Sequence, residues 1–193
     1  MFKFKTAGCA FIMICFVLSP ALAHISDIAH QHGFTAGVIH PLIGLDHLLG
    51  MLGIGLWAGF VGGSARWSWP LSFVGFAGQA AYIGHAGYEI PAFEILIAAS
   101  VILIGLLLVS KKQIPTLTGI VMSSGIGFVH GYAHGVEMPQ DVGMATFILG
   151  FLLTTILLHG LGVLLSFQLK TASRSLLGTS IAAVGAYLLF LTV

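Results

Sequence analysis

The sequence predicts an all-α, polytopic membrane protein: a six-transmembrane-helix bundle that follows an N-terminal signal peptide. Of its 193 residues, 58% are hydrophobic and 7% are charged, whereas soluble domains carry roughly 25% charged residues. The mean hydropathy is +1.05, and a soluble domain of this length could not bury so much apolar surface. The 26 glycines suit the close approach of helix backbones in lipid.

The segment 1–23, MFKFKTAGCAFIMICFVLSPALA, has the pattern of a secretory signal peptide. It starts with Lys3 and Lys5, continues as an apolar run and ends in Ala-Leu-Ala, which is a typical cleavage site. Cleavage there would leave a chain that begins at His24. Both cysteines lie within the signal, so residues 24–193 would hold no thiol for a disulfide or a metal. An uncleaved first helix is the alternative.

Residues 24–193 are expected to form a single six-helix transmembrane domain, because six apolar segments follow one another with short connections. Each segment has about the 20 residues that a helix needs to cross the hydrocarbon core. The predicted spans are 37–61, 70–86, 92–110, 115–134, 142–167 and 175–193.

The charged residues indicate how such a bundle is oriented. If the mature N-terminus is extracytoplasmic, every basic residue after the signal falls in a cytoplasmic loop, as the positive-inside rule requires. These residues are Arg66, Lys111, Lys112, Lys170 and Arg174. The acidic residues fall at the opposite, outer side: Asp27, Asp46, Glu89, Glu94, Glu137 and Asp141. The predicted location is a multi-pass position in a membrane of the bacterial inner-membrane type.

The stretch HPLIGLDHLLGM, residues 40–51, places ionisable groups inside an apolar segment. On one straight helix His40 and His47 would be about two turns, or ~10 Å, apart. That is long for two ligands of one ion, so the two histidines are either successive positions on a path or halves of sites that other helices complete. Asp46 would either ligate a metal or hold a neighbouring histidine through its second ring nitrogen.

A second stretch, FVHGYAHGVEMP at residues 128–139, carries three further donors. His130 and His134 are separated by four residues, the spacing at which two helical side chains lie one above the other. Glu137 extends the same stripe, and Pro139 ends the helix. We expect this stretch to supply partners for His40 and His47, because both stretches lie in the outer part of the membrane.

Weaker candidates for metal binding are the remaining histidines near the predicted outer side: His24, His30, His32 and His85. A free amino group beside the imidazole of His24 could chelate a metal, although a solvated tail is an equally simple interpretation. His159 lies deeper. A buried core histidine is its simpler interpretation, and an inner relay position is the alternative.

The two stretches resemble the HupE/UreJ family of small nickel permeases. HPLIGLDH matches the pattern H-x5-D-H, and FVHGYAHGVE matches F-x-H-G-x-A-H-G-x-E. The resemblance covers nearly the whole chain. It implies metal-transport roles for six residues: His40, Asp46, His47, His130, His134 and Glu137. It fixes the class of cargo better than the ion.

The function expected from these observations is an inward permease for a divalent transition metal, with Ni²⁺ as the first candidate and Cu, Co or Zn as alternatives. The chain has no phosphate-binding loop for ATP and no pattern for a prosthetic group or nucleic acid. An intramembrane zinc-dependent hydrolase is a further alternative, with Glu137 as base, although the sequence lacks H-E-x-x-H. A haem-binding electron carrier is a third, but the histidines cluster at one end. Membrane lipid and the ion are the expected partners, and the oligomeric state is open.

Overall fold

A computed structural model describes residues 33–110 and 112–193, and the fold in this part of the chain is entirely helical. The helices are α1 (Gly33–Ile43), α2 (Leu45–Val61), α3 (Ala65–His85), α4 (Phe93–Ser110), α5 (Thr116–Val136), α6 (Met144–Gln168) and α7 (Thr171–Thr192). The all-α prediction is confirmed for these residues. The predicted signal peptide, 1–23, and the histidines at 24, 30 and 32 lie outside them.

Proline and glycine set several of the helix boundaries. Pro115 is the N-cap of α5, and α5 ends two residues before Met138 and Pro139. Between α2 and α3 the chain turns through Gly62 and Gly63, whose φ angles are 85° and 55°. Side chains rarely adopt these angles, so glycine is required at this turn.

Three helices, α4, α6 and α7, are long and apolar enough to cross a membrane. The pair α1 and α2 would count as a fourth span if it is one broken span, since the two helices meet at an angle of 82°. Helices α3 and α5 each have 21 residues, a sufficient length, but they contain more serine, histidine and glycine. Multi-pass membrane character is therefore supported, whereas six spans remain a proposal.

The helices pack in pairs at places where a glycine of one faces the backbone of the other. A Cβ on Gly131 would overlap the carbonyl oxygen of Ala77, and one on Gly55 would overlap that of His159. The same kind of contact joins α3 to α5, α2 to α6, α1 to α6 and α4 to α7. The glycines concerned are Gly37, Gly55, Gly84, Gly105, Gly127, Gly131, Gly135, Gly150, Gly162, Gly178 and Gly185. Such contacts bring polar side chains of neighbouring helices within reach of one another.

Basic and acidic side chains lie at opposite ends of the bundle in the described residues. At the basic end the guanidinium group of Arg66 lies over Phe167, and that of Arg174 lies over Phe60. Lys112 and Lys170 precede the helices that start at this end. At the acidic end lie Asp46, Glu89, Glu94, Glu137 and Asp141. The predicted separation of charge by sign is confirmed for the described residues.

Candidate metal site

His40 and His47 come together because the first apolar segment is broken at Gly44. The prediction of one straight helix over 37–61 is wrong: Gly44 has an extended backbone, with φ −75° and ψ 115°, and α2 restarts there with the Leu48 N–H bonded to the Gly44 carbonyl. The ring centroids of His40 and His47 are 6.4 Å apart, instead of being separated by two turns of one helix. The break thus places an imidazole from α1 beside one from α2.

Asp46 holds His47 at two points. The backbone N–H of His47 donates to Oδ1 of Asp46 at 2.7 Å, and ring Nδ1 lies 2.8 Å from the same oxygen. An ionised carboxylate only accepts, so Nδ1 carries a proton, and in the neutral ring the lone pair is on Nε2. Nε2 is buried and has no hydrogen-bond partner among the described residues. Of the two roles expected for Asp46, the structure shows the hydrogen bond to a histidine.

His130 presents a lone pair in the same way, through a residue of α4. Its Nε2 lies 2.9 Å from Oγ of Ser100, and that hydroxyl donates its single hydrogen to the carbonyl oxygen of Ile97 at 2.7 Å. Ser100 must therefore accept from Nε2–H, which leaves the lone pair on Nδ1 of His130. This nitrogen too is buried without a partner among the described residues.

His134 is as fully enclosed as His130. It is 0% exposed, and neither ring nitrogen has a hydrogen-bond partner in the described part of the chain. The ring of Phe151 stacks on it at 4.6 Å between centroids. A buried imidazole without any partner costs free energy, and a ligand that used its lone pair would remove part of that cost.

The four histidines form a continuous chain of ring contacts. The ring of His47 lies 4.3 Å from that of His134 and 5.0 Å from that of His130, and the ring of His40 lies 5.0 Å from that of His134. We call these four residues the imidazole cluster. His47 thus lies against both histidines of α5, so the two sequence stretches do supply each other with partners.

Glu137 links the imidazole cluster to the acidic end. Its Oε2 lies 3.0 Å from Nε2 of His40, and the side chains of Glu137 and His40 are 42% and 26% exposed. The expected stripe of His130, His134 and Glu137 is thus divided. Glu137, the C-cap of α5, pairs with α1, whereas the two histidines face the interior.

The donors follow one another and do not surround a single point. In the described part of the chain, no group of three or more histidine, cysteine, aspartate or glutamate side chains is arranged to hold one ion. The aromatic rings of Phe147, Phe151 and Phe73 line the imidazole cluster, next to His40, His134 and His130 respectively. The nitrogen donors therefore form a series, called the file below, that is lined by apolar side chains.

The remaining predicted candidates are not in the imidazole cluster. His85 is exposed at the end of α3 and has no ring contact with the four histidines. His159 is buried on α6, where Nδ1 lies 2.7 Å from the carbonyl oxygen of Thr155. Sequence reasoning missed Ser100, although a serine in the middle of the apolar helix FEILIAASVILIGLLLVS is a signal that could have identified it.

Comparisons with known proteins agree with the two sequence patterns. The family model described as HupE / UreJ protein matches residues 12–188. Protein HupE of Rhizobium leguminosarum bv. viciae is 35% identical over 174 residues, which cover 88% of this chain and 91% of that relative. No solved structure matches this chain. The chain therefore belongs to the HupE/UreJ family, a family of membrane transporters, not enzymes, that is generally associated with nickel and cobalt transport.

Proposed function

We propose that this protein is an inward permease for a divalent transition metal, with Ni²⁺ as its first cargo. The observation that carries the proposal is the orientation of lone pairs in the imidazole cluster. Nε2 of His47, Nδ1 of His130 and both nitrogens of His134 are buried without hydrogen-bond partners in the described residues. Neutral imidazole nitrogen is a common ligand of Ni, Co, Cu and Zn.

The ion would move through this file from the acidic end. The half-exposed carboxylate of Glu137 attracts a hydrated cation, and His40 lies beside it. His134 and His47 then replace part of the water shell, and His130 receives the ion from His47. Several moderate sites in succession let an ion enter and also leave, whereas one closed cage would retain it.

Asp46 and Ser100 serve as positioning residues in this proposal. Each accepts a hydrogen bond from one ring nitrogen of His47 or His130. The other ring nitrogen is thereby directed towards the cargo. Groups of this kind fix the tautomer of ligating histidines and raise their basicity.

The choice of ion rests on the family and on donor chemistry. Membership of a family associated with nickel and cobalt favours Ni²⁺ and Co²⁺, and imidazole also suits Cu²⁺ and Zn²⁺. The zinc hydrolase alternative is not retained, because the family consists of transporters. The carboxylate of Glu137, which was the expected base of that alternative, pairs with His40.

We also propose that the acidic end faces the outside and that the basic end faces the cytoplasm. The positive-inside rule supports this orientation. Cysteine at position 112 should react with an impermeant thiol reagent only after the membrane is opened, and cysteine at position 89 should react from outside. The mature chain should start at His24, which N-terminal sequencing would establish. Labelling of position 112 from the intact outside would reverse the orientation.

The permease proposal is tested by metal uptake into cells or vesicles that contain matched amounts of each variant. His47→Ala and His134→Ala should abolish Ni²⁺ uptake, since each removes a donor in the middle of the file. His85→Ala, an exposed histidine outside the imidazole cluster, is the control and should transport normally. Competition among Ni²⁺, Co²⁺, Cu²⁺ and Zn²⁺ identifies the cargo. Parental uptake rates in both cluster variants, at normal levels in the membrane, would refute the proposal.

A further inference from the structure

His159 carries a buried lone pair that the imidazole cluster does not use. Its Nδ1 lies 2.7 Å from the backbone carbonyl oxygen of Thr155. A carbonyl only accepts, so Nδ1 holds the proton and Nε2 holds a lone pair. His159 is 1% exposed, and Nε2 has no hydrogen-bond partner among the described residues. This is the same state that Asp46 imposes on His47.

The thioether of Met51 contacts Thr155, the residue of α6 that also bonds to His159. The hydroxyl of Thr155 is 3.4 Å from Sδ of Met51 and 2.8 Å from the carbonyl oxygen of Phe151. Its single hydrogen bonds better to the nearer and stronger carbonyl acceptor. The sulfur lone pairs of Met51, a residue that is 0% exposed, are then free.

Both donors lie deeper than the imidazole cluster, and their backbones are about one helical turn apart. Met51 follows His47 by four residues, so it is about one turn, ~6 Å, further along α2 towards the basic end. The backbone of His159 contacts Gly55, one further turn along α2. Thr155 contacts both donors, since its hydroxyl lies 3.4 Å from Sδ of Met51 and its carbonyl oxygen lies 2.7 Å from Nδ1 of His159. Its ring lies 4.8 Å from that of Phe73, which lies 5.8 Å from His130.

We propose that Met51 and His159 form an inner metal station, with one thioether and one imidazole donor, which receives the ion after the imidazole cluster. The inference rests on the permease function proposed above. A nitrogen and sulfur pair suits ions of borderline to soft character, such as Ni²⁺, Co²⁺ and Cu²⁺, better than hard ions such as Mg²⁺. The station adds a sulfur donor, which the imidazole cluster lacks, on the way to the basic end.

The test uses the purified full-length chain and Ni²⁺, with X-ray absorption at the nickel edge and equilibrium binding. A sulfur neighbour of nickel should be present in the parent, absent in Met51→Leu and present in Met122→Leu. Met122 is a partly buried methionine of α5 and serves as the matched control. His159→Leu should bind one ion fewer than the parent. Replacement of a buried, partly unsatisfied polar group by an apolar one tends to preserve folding, and the elution volume in detergent checks this.

Transport separates this inference from the permease proposal. Met51→Leu and His159→Leu should lower the maximal Ni²⁺ uptake rate about tenfold and leave the half-saturating concentration nearly unchanged, because capture occurs earlier in the file. If these variants match the parent in rate, ion count and sulfur signal while His134→Ala is inactive, the inner station is refuted and the permease stands. A parent that neither binds nor transports Ni²⁺ would overturn both.

Discussion

Two N–H groups of His47, one of the backbone and one of the ring, donate to the same oxygen of Asp46, Oδ1. The nitrogen–oxygen distances are 2.7 and 2.8 Å. Asp46→Asn keeps an oxygen of similar size but removes its charge. We expect the folded amount to be normal and metal uptake to fall on the order of 10- to 100-fold, the usual effect of altering such a positioning group. Uptake assays at several Ni²⁺ concentrations measure this.

The control for Asp46 is Glu89→Gln, which neutralises an exposed carboxylate at the same end of the bundle. It should change uptake little, because exposed charges at a distance from the path are screened by salt. Equal losses in the two variants would mean that Asp46 acts only through the net charge of the acidic end.

Ser100 should matter only through His130. Ser100→Ala removes the acceptor of Nε2–H, so the ring of His130 is no longer fixed in the tautomer that offers Nδ1. Metal affinity should fall about 10- to 100-fold, as for other groups that orient a ligand. Ser110→Ala is a matched control: Ser110 is on the same helix and makes the same bond to a carbonyl three residues before it, to Leu107, but is exposed. If both variants bind Ni²⁺ as the parent does, Ser100 has no positioning role.

Gly44 is predicted to protect the contact between Asp46 and His47. A Cβ at this position would lie 2.9 Å from Oδ1 of Asp46 and 3.0 Å from Nδ1 of His47. The backbone angles of Gly44 are open to alanine, and a flexible carboxylate can move away. Gly44→Ala should therefore remain folded and lose uptake. Gly75→Ala, where a Cβ meets nothing within 4 Å, should keep both. Normal uptake by Gly44→Ala would argue against the need for this geometry.

Gly131 should be essential for folding. A Cβ there would overlap the carbonyl oxygen of Ala77, a backbone atom that cannot rotate away, so α3 and α5 would have to separate. Overpacking of this kind costs about 1–3 kcal/mol or more. We expect Gly131→Ala to be depleted from the membrane and to melt at a lower temperature in detergent. Gly125→Ala on the same helix, with nothing near its Cβ, should melt like the parent. Equal melting temperatures would contradict this assignment.

Sequence reasoning predicted the polar content of the site because ionisable residues are rare in apolar segments and therefore conspicuous. It also predicted that His40 and His47 need partners from another helix, and the ring contacts with His130 and His134 agree. The metal-binding roles of these residues remain predictions.

The path of the first apolar segment was not predictable in the same way. Leu42 and Ile43 precede Gly44 and Leu45 follows it, so the apolar character continues through the break, and only the backbone reveals the bend of 82°. The contact between His130 and Ser100 depends on the packing of α4 near α5, which no local pattern encodes. Length alone is also a poor guide to a membrane span: α3 and α5 have 21 residues each, yet they are not among the helices that are apolar enough to cross a membrane.

The glycine contacts join helices of the bundle into closely packed pairs. Between α3 and α5, and between α2 and α6, backbone meets backbone at these glycines. Between these two pairs the boundary consists of side chains, and the imidazole cluster crosses it: His47 belongs to one pair, and His130 and His134 to the other. In the proposed function, an ion shared by these rings would therefore bridge the two pairs of helices.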